Sequence, residues 1–169
     1  MPQPPVPAVP LDAEAREAAM RTALAEAELA HGTADVPVGA VLLDADGSVL
    51  ALARNEREKL HDPTAHAEVL AIRRGAAARG DWRLTDTTLV VTLEPCVLCA
   101  GAILAARIPR LVFGAWDDKA GAAGSVHDLL RDRRLNHRVE VLGGVLEAES
   151  SALLTRFFRG AEPTELRPD

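Results

Sequence analysis

Three short stretches of this 169-residue chain hold residue types that could do chemistry together: His66-Ala67-Glu68, Pro95-Cys96-Val97-Leu98-Cys99, and Asn55. Two thiolates and an imidazole make a donor set that suits Zn²⁺. Cys96 and Cys99 are expected on the first turn of a helix, where unpaired N–H groups and the helix dipole favour thiolates. His66 also falls at an expected helix start, after Asp62-Pro63-Thr64-Ala65. Three protein donors leave a fourth tetrahedral position to water, the count of a catalytic zinc; structural sites close with four. Glu68 supplies what hydrolysis further requires. Zinc lowers the pKa of its water, and a nearby carboxylate takes that proton and returns it to the leaving group.

Each fragment alone has a plainer reading. A lone C-x-x-C in a reducing compartment is a metal site or a redox dithiol. A structural zinc could recruit His61 as a fourth ligand, and Glu68 could be an ordinary first-turn charge. The redox reading leaves His66 and Glu68 unexplained, and a non-catalytic zinc or nucleic-acid-binding module needs no acid beside an open coordination position. Together the fragments point to zinc-dependent hydrolysis.

The elements that must position these residues are legible from period and punctuation. Asp12 can cap a helix running to about Ala30, with Met20, Leu24 and Ala27 on one face and Gly32 as its stop. Residues 38–43 and 49–53 flank Asp44-Ala45-Asp46-Gly47, a hairpin signal. A polar loop at 55–64 precedes a helix over 66–79. A strand at 88–93, a helix at 96–107 and a strand at 111–113 follow. After a Gly/Ala loop at 114–124 come a short helix near 126–131, a strand at 139–142 and a last helix at 147–159. The order predicts an α/β fold: a mixed sheet covered by helices on both faces, three layers in all. Loops at the carboxyl ends of the later strands should carry the site.

Composition narrows the classes. With 48% hydrophobic and 26% charged residues the chain is not globally disordered. No apolar run approaches the roughly 20 residues of a membrane span. The opening MPQPPVPAVP has no basic residue before an apolar stretch, so no secretory signal and a cytoplasmic location are expected. A net charge of −6 disfavours indiscriminate binding to nucleic-acid backbones. Two cysteines do not make a disulfide scaffold. With no Tyr, three Phe and two Trp, a broad platform for stacking bases is excluded. The expected organisation is a flexible Pro-rich lead (1–10), one domain (11–159) and a flexible tail (160–169).

The spacing H-x-E followed by P-C-x-x-C resembles the signature of zinc nucleobase deaminases. The similarity extends past it. DVPVGAV at 35–41, HDPTAHAE at 61–68, TLEPCVLCAGA at 92–102, VFGA at 112–115, KAGAAGS at 119–125, LNHRVE at 135–140 and FFR at 157–159 look like the bacterial tRNA-specific adenosine deaminases. These segments are more specific than the zinc signature, which cytosine, cytidine and guanine deaminases share. The resemblance covers about residues 11–159. It implies a cytidine-deaminase-like fold with a central mixed five-stranded sheet. It implies one Zn²⁺ per subunit on His66, Cys96 and Cys99, with Glu68 catalytic, and a homodimer. The implied reaction converts the wobble adenosine of a tRNA anticodon stem-loop to inosine after the base is flipped into the pocket. Asn55 matches the family's base-contacting asparagine, and Ala67 can offer a backbone group to the same base. Asp117, Lys119, Asn136 and Phe158 match positions that contact the anticodon loop. A deaminase of free guanine or cytosine is the alternative, although it would have no anticodon loop for those segments to contact.

The chain departs from the bacterial pattern after its paired phenylalanines. Where a basic extension is common, Gly160-Ala161-Glu162-Pro163-Thr164-Glu165-Leu166-Arg167 carries two acids and one base. Arg131, Arg133, Arg134, His137 and Arg138 form the nearest basic cluster in sequence.

Overall fold

The computed structural model describes residues 10–160. Apart from Pro10 and Gly160, the expected lead and tail lie outside them. Asp12 caps the first helix, α1 (Ala13–Glu28), by accepting the Ala15 N–H at 2.8 Å. The hairpin pairs β1 (Gly39–Leu43) with β2 (Val49–Arg54). Its turn closes through Gly47, whose φ of 82° a side chain rarely adopts. Next come α2 (Arg57–Leu60), α3 (Ala67–Arg79), β3 (Thr88–Leu93) and α4 (Val97–Ala105). The last of the described elements are β4 (Arg110–Ala115), β5 (Glu140–Leu142) and α5 (Glu147–Gly160).

The sheet order is β2-β1-β3-β4-β5. β1 is antiparallel to β2 and β3, whereas β3, β4 and β5 run parallel. Alternate side chains point to opposite faces of a strand, and here both faces are covered. Leu42, Leu89, Val91, Leu111 and Phe113 pack with Leu70 and Ala71 of α3 and Ala100 and Ile103 of α4. Val41, Leu43, Val90 and Val112 pack with Met20 and Ala23 of α1. α5 lies beside α1, joined by the Arg156–Glu28 ion pair at 3.4 Å. The three-layer αβα architecture with a mixed five-stranded sheet is therefore the one the sequence pattern requires. α1 presses closely on β1: a Cβ on Gly39 would come within 2.0 Å of the Ala23 carbonyl oxygen.

Two local expectations are corrected. The polar loop after β2 contains the one-turn helix α2, because the buried carboxylate of Asp35 accepts the N–H groups of Glu58 and Lys59 at 2.7 and 3.2 Å. Residues 126–131 form no helix. Their N–H groups turn back instead, His127 to the Gly121 carbonyl at 3.0 Å and Leu129 to that of Ala122 at 3.1 Å, with a bridge between Ala123 and Asp128. Partners outside the segment supplant the local i→i−4 pattern.

Candidate active site

The site lies where the carboxyl ends of β3 and β4 meet the amino ends of α3 and α4. His66 is the N-cap of α3 and Cys96 the N-cap of α4, with Cys99 in the first turn. Cys96 is thus one position before the helix it was expected to open. His66 Nδ1 is 3.6 Å from Cys96 Sγ and 3.4 Å from Cys99 Sγ. A tetrahedral zinc with Zn–N of about 2.0–2.1 Å and Zn–S of about 2.3 Å separates its nitrogen and sulfur donors by roughly 3.6 Å. The donor set fits zinc in both chemistry and spacing. Among the described residues this is the one group of three or more candidate metal donors, and His61 does not belong to it. His61 instead ends α2 in the left-handed conformation, with φ 52°.

The two thiols are not equivalent in the metal-free chain. A hydrogen bond from Cys99 holds the Cys96 thiol down to about 3, helped by His66 and opposed by burial. Cys99, which keeps the proton in that bond and is buried, is pushed up. The hydrogen bond to Cys96 raises the His66 pKa, with burial opposing. One proton is therefore shared across the thiol pair.

Glu68, on the first turn of α3, is 4% exposed. Burial pushes its pKa above the ordinary carboxylate value. Its carboxyl faces a pocket of about 200 Å³ shared with His66, Cys96, Asn55, Ala67 and Asp117. Asn55 is held by its own amide: Nδ2 donates to the Val36 carbonyl at 3.1 Å and Oδ1 accepts the Arg57 N–H at 3.3 Å. One N–H and one lone pair remain for a ligand. Ala67 opens α3, so its N–H has no partner within the helix. Asp117 reaches the pocket through a turn in which its Oδ1 accepts the N–H groups of Lys119 and Ala120.

Of the sequence candidates, His66, Cys96, Glu68, Asn55, Ala67 and Asp117 line this pocket, and Cys99 completes the metal group beneath it. Lys119 is exposed on the turn next to pocket-lining Ala120. Asn136 and Phe158 are not among the lining residues. Asn136 accepts a hydrogen bond from Arg107 at 2.9 Å, beyond the far end of α4. Phe158 is exposed on α5, edge-on to Phe157. Sequence reasoning missed three residues that build the pocket walls. Asp35 caps α2; Arg57 lines the mouth; Glu94, 2% exposed, accepts backbone N–H groups from Asp117, Ala123 and Ser125. Burial opposes ionisation of Glu94, but its bonds from Ser125, Asp117 and Ala123 outweigh it and hold the pKa below the ordinary value.

Comparison with known proteins agrees with this geometry. Residues 13–115 match the family model for the cytidine and deoxycytidylate deaminase zinc-binding region, which defines the class as a zinc-binding deaminase, and His66, Cys96 and Cys99 form one zinc site per chain. A tRNA-specific adenosine deaminase of Streptococcus pyogenes is 44% identical over 151 residues, 89% of this chain and 94% of the relative. A solved structure from studies of A-to-I editing by tRNA:A34 deaminases at the wobble position is 43% identical. It superposes with a TM-score of 0.77 over 80% of this chain and 98% of that one. A guanine deaminase from Nitrosomonas europaea, 24% identical, shares the fold, with a TM-score of 0.74 over 92% of this chain and 88% of that one. The chain belongs to the tRNA-specific adenosine deaminase family.

Proposed function

We propose that the protein hydrolyses the C6 amine of the wobble adenosine in a tRNA anticodon loop, giving inosine and ammonia. One observation carries this reading: a buried carboxyl, Glu68, shares a base-sized pocket with a His-Cys-Cys metal group and a half-free asparagine amide. His66, Cys96 and Cys99 would hold the zinc, which supplies Lewis acidity that makes water a nucleophile at neutral pH. Glu68 takes the proton from the attacking water and delivers it to the departing amine nitrogen. A carboxyl whose pKa is raised by burial can hold that proton between the two transfers. Asn55 reads the purine edge with its remaining donor and acceptor, and the Ala67 backbone meets the same base. Asp117 and Lys119 meet the flanking nucleotides of a splayed loop, with Asn136 and Phe158 as outer contacts. A base inside a stem cannot reach this pocket, so the substrate base is flipped from a loop.

The protein acts as a homodimer in this reading. The outward face of α4 exposes Val97, Leu98, Gly101 and Ala105, and a Cβ on Gly101 would meet nothing within 4 Å. That small apolar surface suits a second copy of the chain. No helix of the described residues is long and apolar enough to cross a membrane, and the proposed location is the cytoplasm. The domain carrying the activity is placed at residues 11–159. Incubation with an unmodified transfer RNA pool, followed by sequencing for inosine, tests the reading: inosine should arise at wobble adenosines alone.

A further inference from the structure

Glu94 stands between the end of β3 and the Pro95-Cys96 turn, and the chemistry above gives it no proton to move. Its carboxylate is committed to a single segment, residues 117–125. Oε2 accepts the Asp117 N–H at 2.9 Å, and Oε1 accepts those of Ala123 and Ser125 at 3.0 Å each. The segment is closed on itself around this anchor. Ser125 Oγ donates to the Asp117 carbonyl at 2.7 Å and the Gly121 N–H to the same oxygen at 2.9 Å. It is also fastened to the metal-ligand turn, since the Ala122 N–H donates to the Pro95 carbonyl at 2.8 Å and Gly121 bridges Cys96. The fit is close: a Cβ on Gly121 would come within 2.3 Å of both Glu94 Oε2 and Ser125 Oγ.

We propose that Glu94 is a positioning residue for RNA recognition, holding residues 117–125 so that Asp117 and Lys119 meet the nucleotides beside the target adenosine. The identity of the ligand rests on the tRNA reading; the anchoring of the segment does not. Asp117 is the link. Its N–H is held by Glu94, and its Oδ1 fixes the turn that carries Lys119. Because Glu94 is two residues from Cys96, one short stretch of chain sets both the metal group and the RNA-facing wall. The device depends on a carboxylate, which offers acceptors on both oxygens. A glutamine keeps one acceptor oxygen and turns an NH₂ toward a backbone N–H on the other side.

The test compares wild type, Glu94→Gln, Gly121→Ala, Asp117→Ala and Glu94→Gln/Asp117→Ala on an anticodon stem-loop, with zinc content measured for each. Glu94→Gln should raise KM about tenfold, the scale of one buried hydrogen bond lost. It should keep kcat within about threefold, and zinc at one per chain. In the Asp117→Ala background the same change should move KM by less than about twofold, because that variant already lacks the carboxylate that fixes the Lys119 turn, so the effect of Glu94 has little left to act through. Gly121→Ala leaves the carboxylate intact but displaces the segment, and should raise KM in the same way even if Glu94→Gln fails to fold. A KM unchanged in both single variants, full additivity in the double variant, or a joint loss of zinc, kcat and binding would overturn the proposal. If wild type leaves the stem-loop untouched, the functional reading fails by itself. Amide exchange over residues 117–125 then decides the anchoring: faster in Glu94→Gln sustains it, unchanged overturns it.

Discussion

His66 Nδ1 lies 3.4 Å from Cys99 Sγ, across 33 positions of sequence, because the N-cap of one helix faces the first turn of another. The sheet brings them together: α3 and α4 pack on the same face, through Leu70 and Ala71 on one and Ala100 and Ile103 on the other. The metal group is therefore a property of the packed core and of neither helix alone.

Protein purified without chelator should carry one zinc per chain, and Cys99→Ala should lose it on dialysis. Since the metal-free thiol pair retains a proton that zinc must displace, uptake should release protons. Calorimetry in buffers of different ionisation enthalpy measures that release. Binding to the folded chain alone should also make the melting temperature rise with zinc concentration. Zinc held as firmly by Cys99→Ala would remove this donor from the set.

Glu68→Ala should keep zinc and fold while kcat falls by about 10²–10⁴, the contribution of a general acid–base group. RNA binding should survive, because Glu68 is neither in the metal group nor on the Asp117–Ala120 turn proposed to meet the RNA. Single-turnover assays with saturating stem-loop measure the loss. Turnover near wild type would take Glu68 out of the mechanism.

The pocket wall behind Asn55 should weaken in acid. Glu56, 6% exposed, pairs with Lys59 at 2.6 Å and Arg74 at 3.1 Å. The hydrogen bond to Lys59 holds its pKa below the ordinary 4.5, with burial opposing. A depressed folded-state pKa stabilises fully above the unfolded value and is lost as pH falls through the folded one. Urea midpoints should therefore drop below pH 4.5, and Glu56→Gln should show a shallower drop over that window. An identical acid limb in the variant would show that Glu56 does not contribute.

Much of this was legible in the sequence, for identifiable reasons. The hairpin could be read from the Asp44-Ala45-Asp46-Gly47 turn between two apolar runs, and β3 from its β-branched apolar run ending at Leu93. His66, Glu68, Cys96 and Cys99 could be read because metal and proton chemistry restrict residue type and spacing. The course of residues 126–131 could not: local pattern suggested a helix, but backbone groups across the segment compete for the same N–H donors. Asp35 and Glu94 were illegible for a related reason. Their partners are main-chain N–H groups 23 or more positions away, and a backbone donor leaves no signature in side-chain type. Asn136 and Phe158 were marked by resemblance, and the structure places them away from the pocket.

The most direct test of the central claim is a side-by-side measurement of kcat/KM. The substrates are an anticodon stem-loop with a wobble adenosine, free adenosine, free guanine and free cytosine. Asn55 alone cannot tell a free purine from one in RNA, and the proposed source of selectivity is the turn bearing Asp117 and Lys119. The expected result is inosine in the stem-loop at the wobble position and no measurable turnover of the three free compounds. Deamination of free guanine or cytosine with the stem-loop untouched would contradict it.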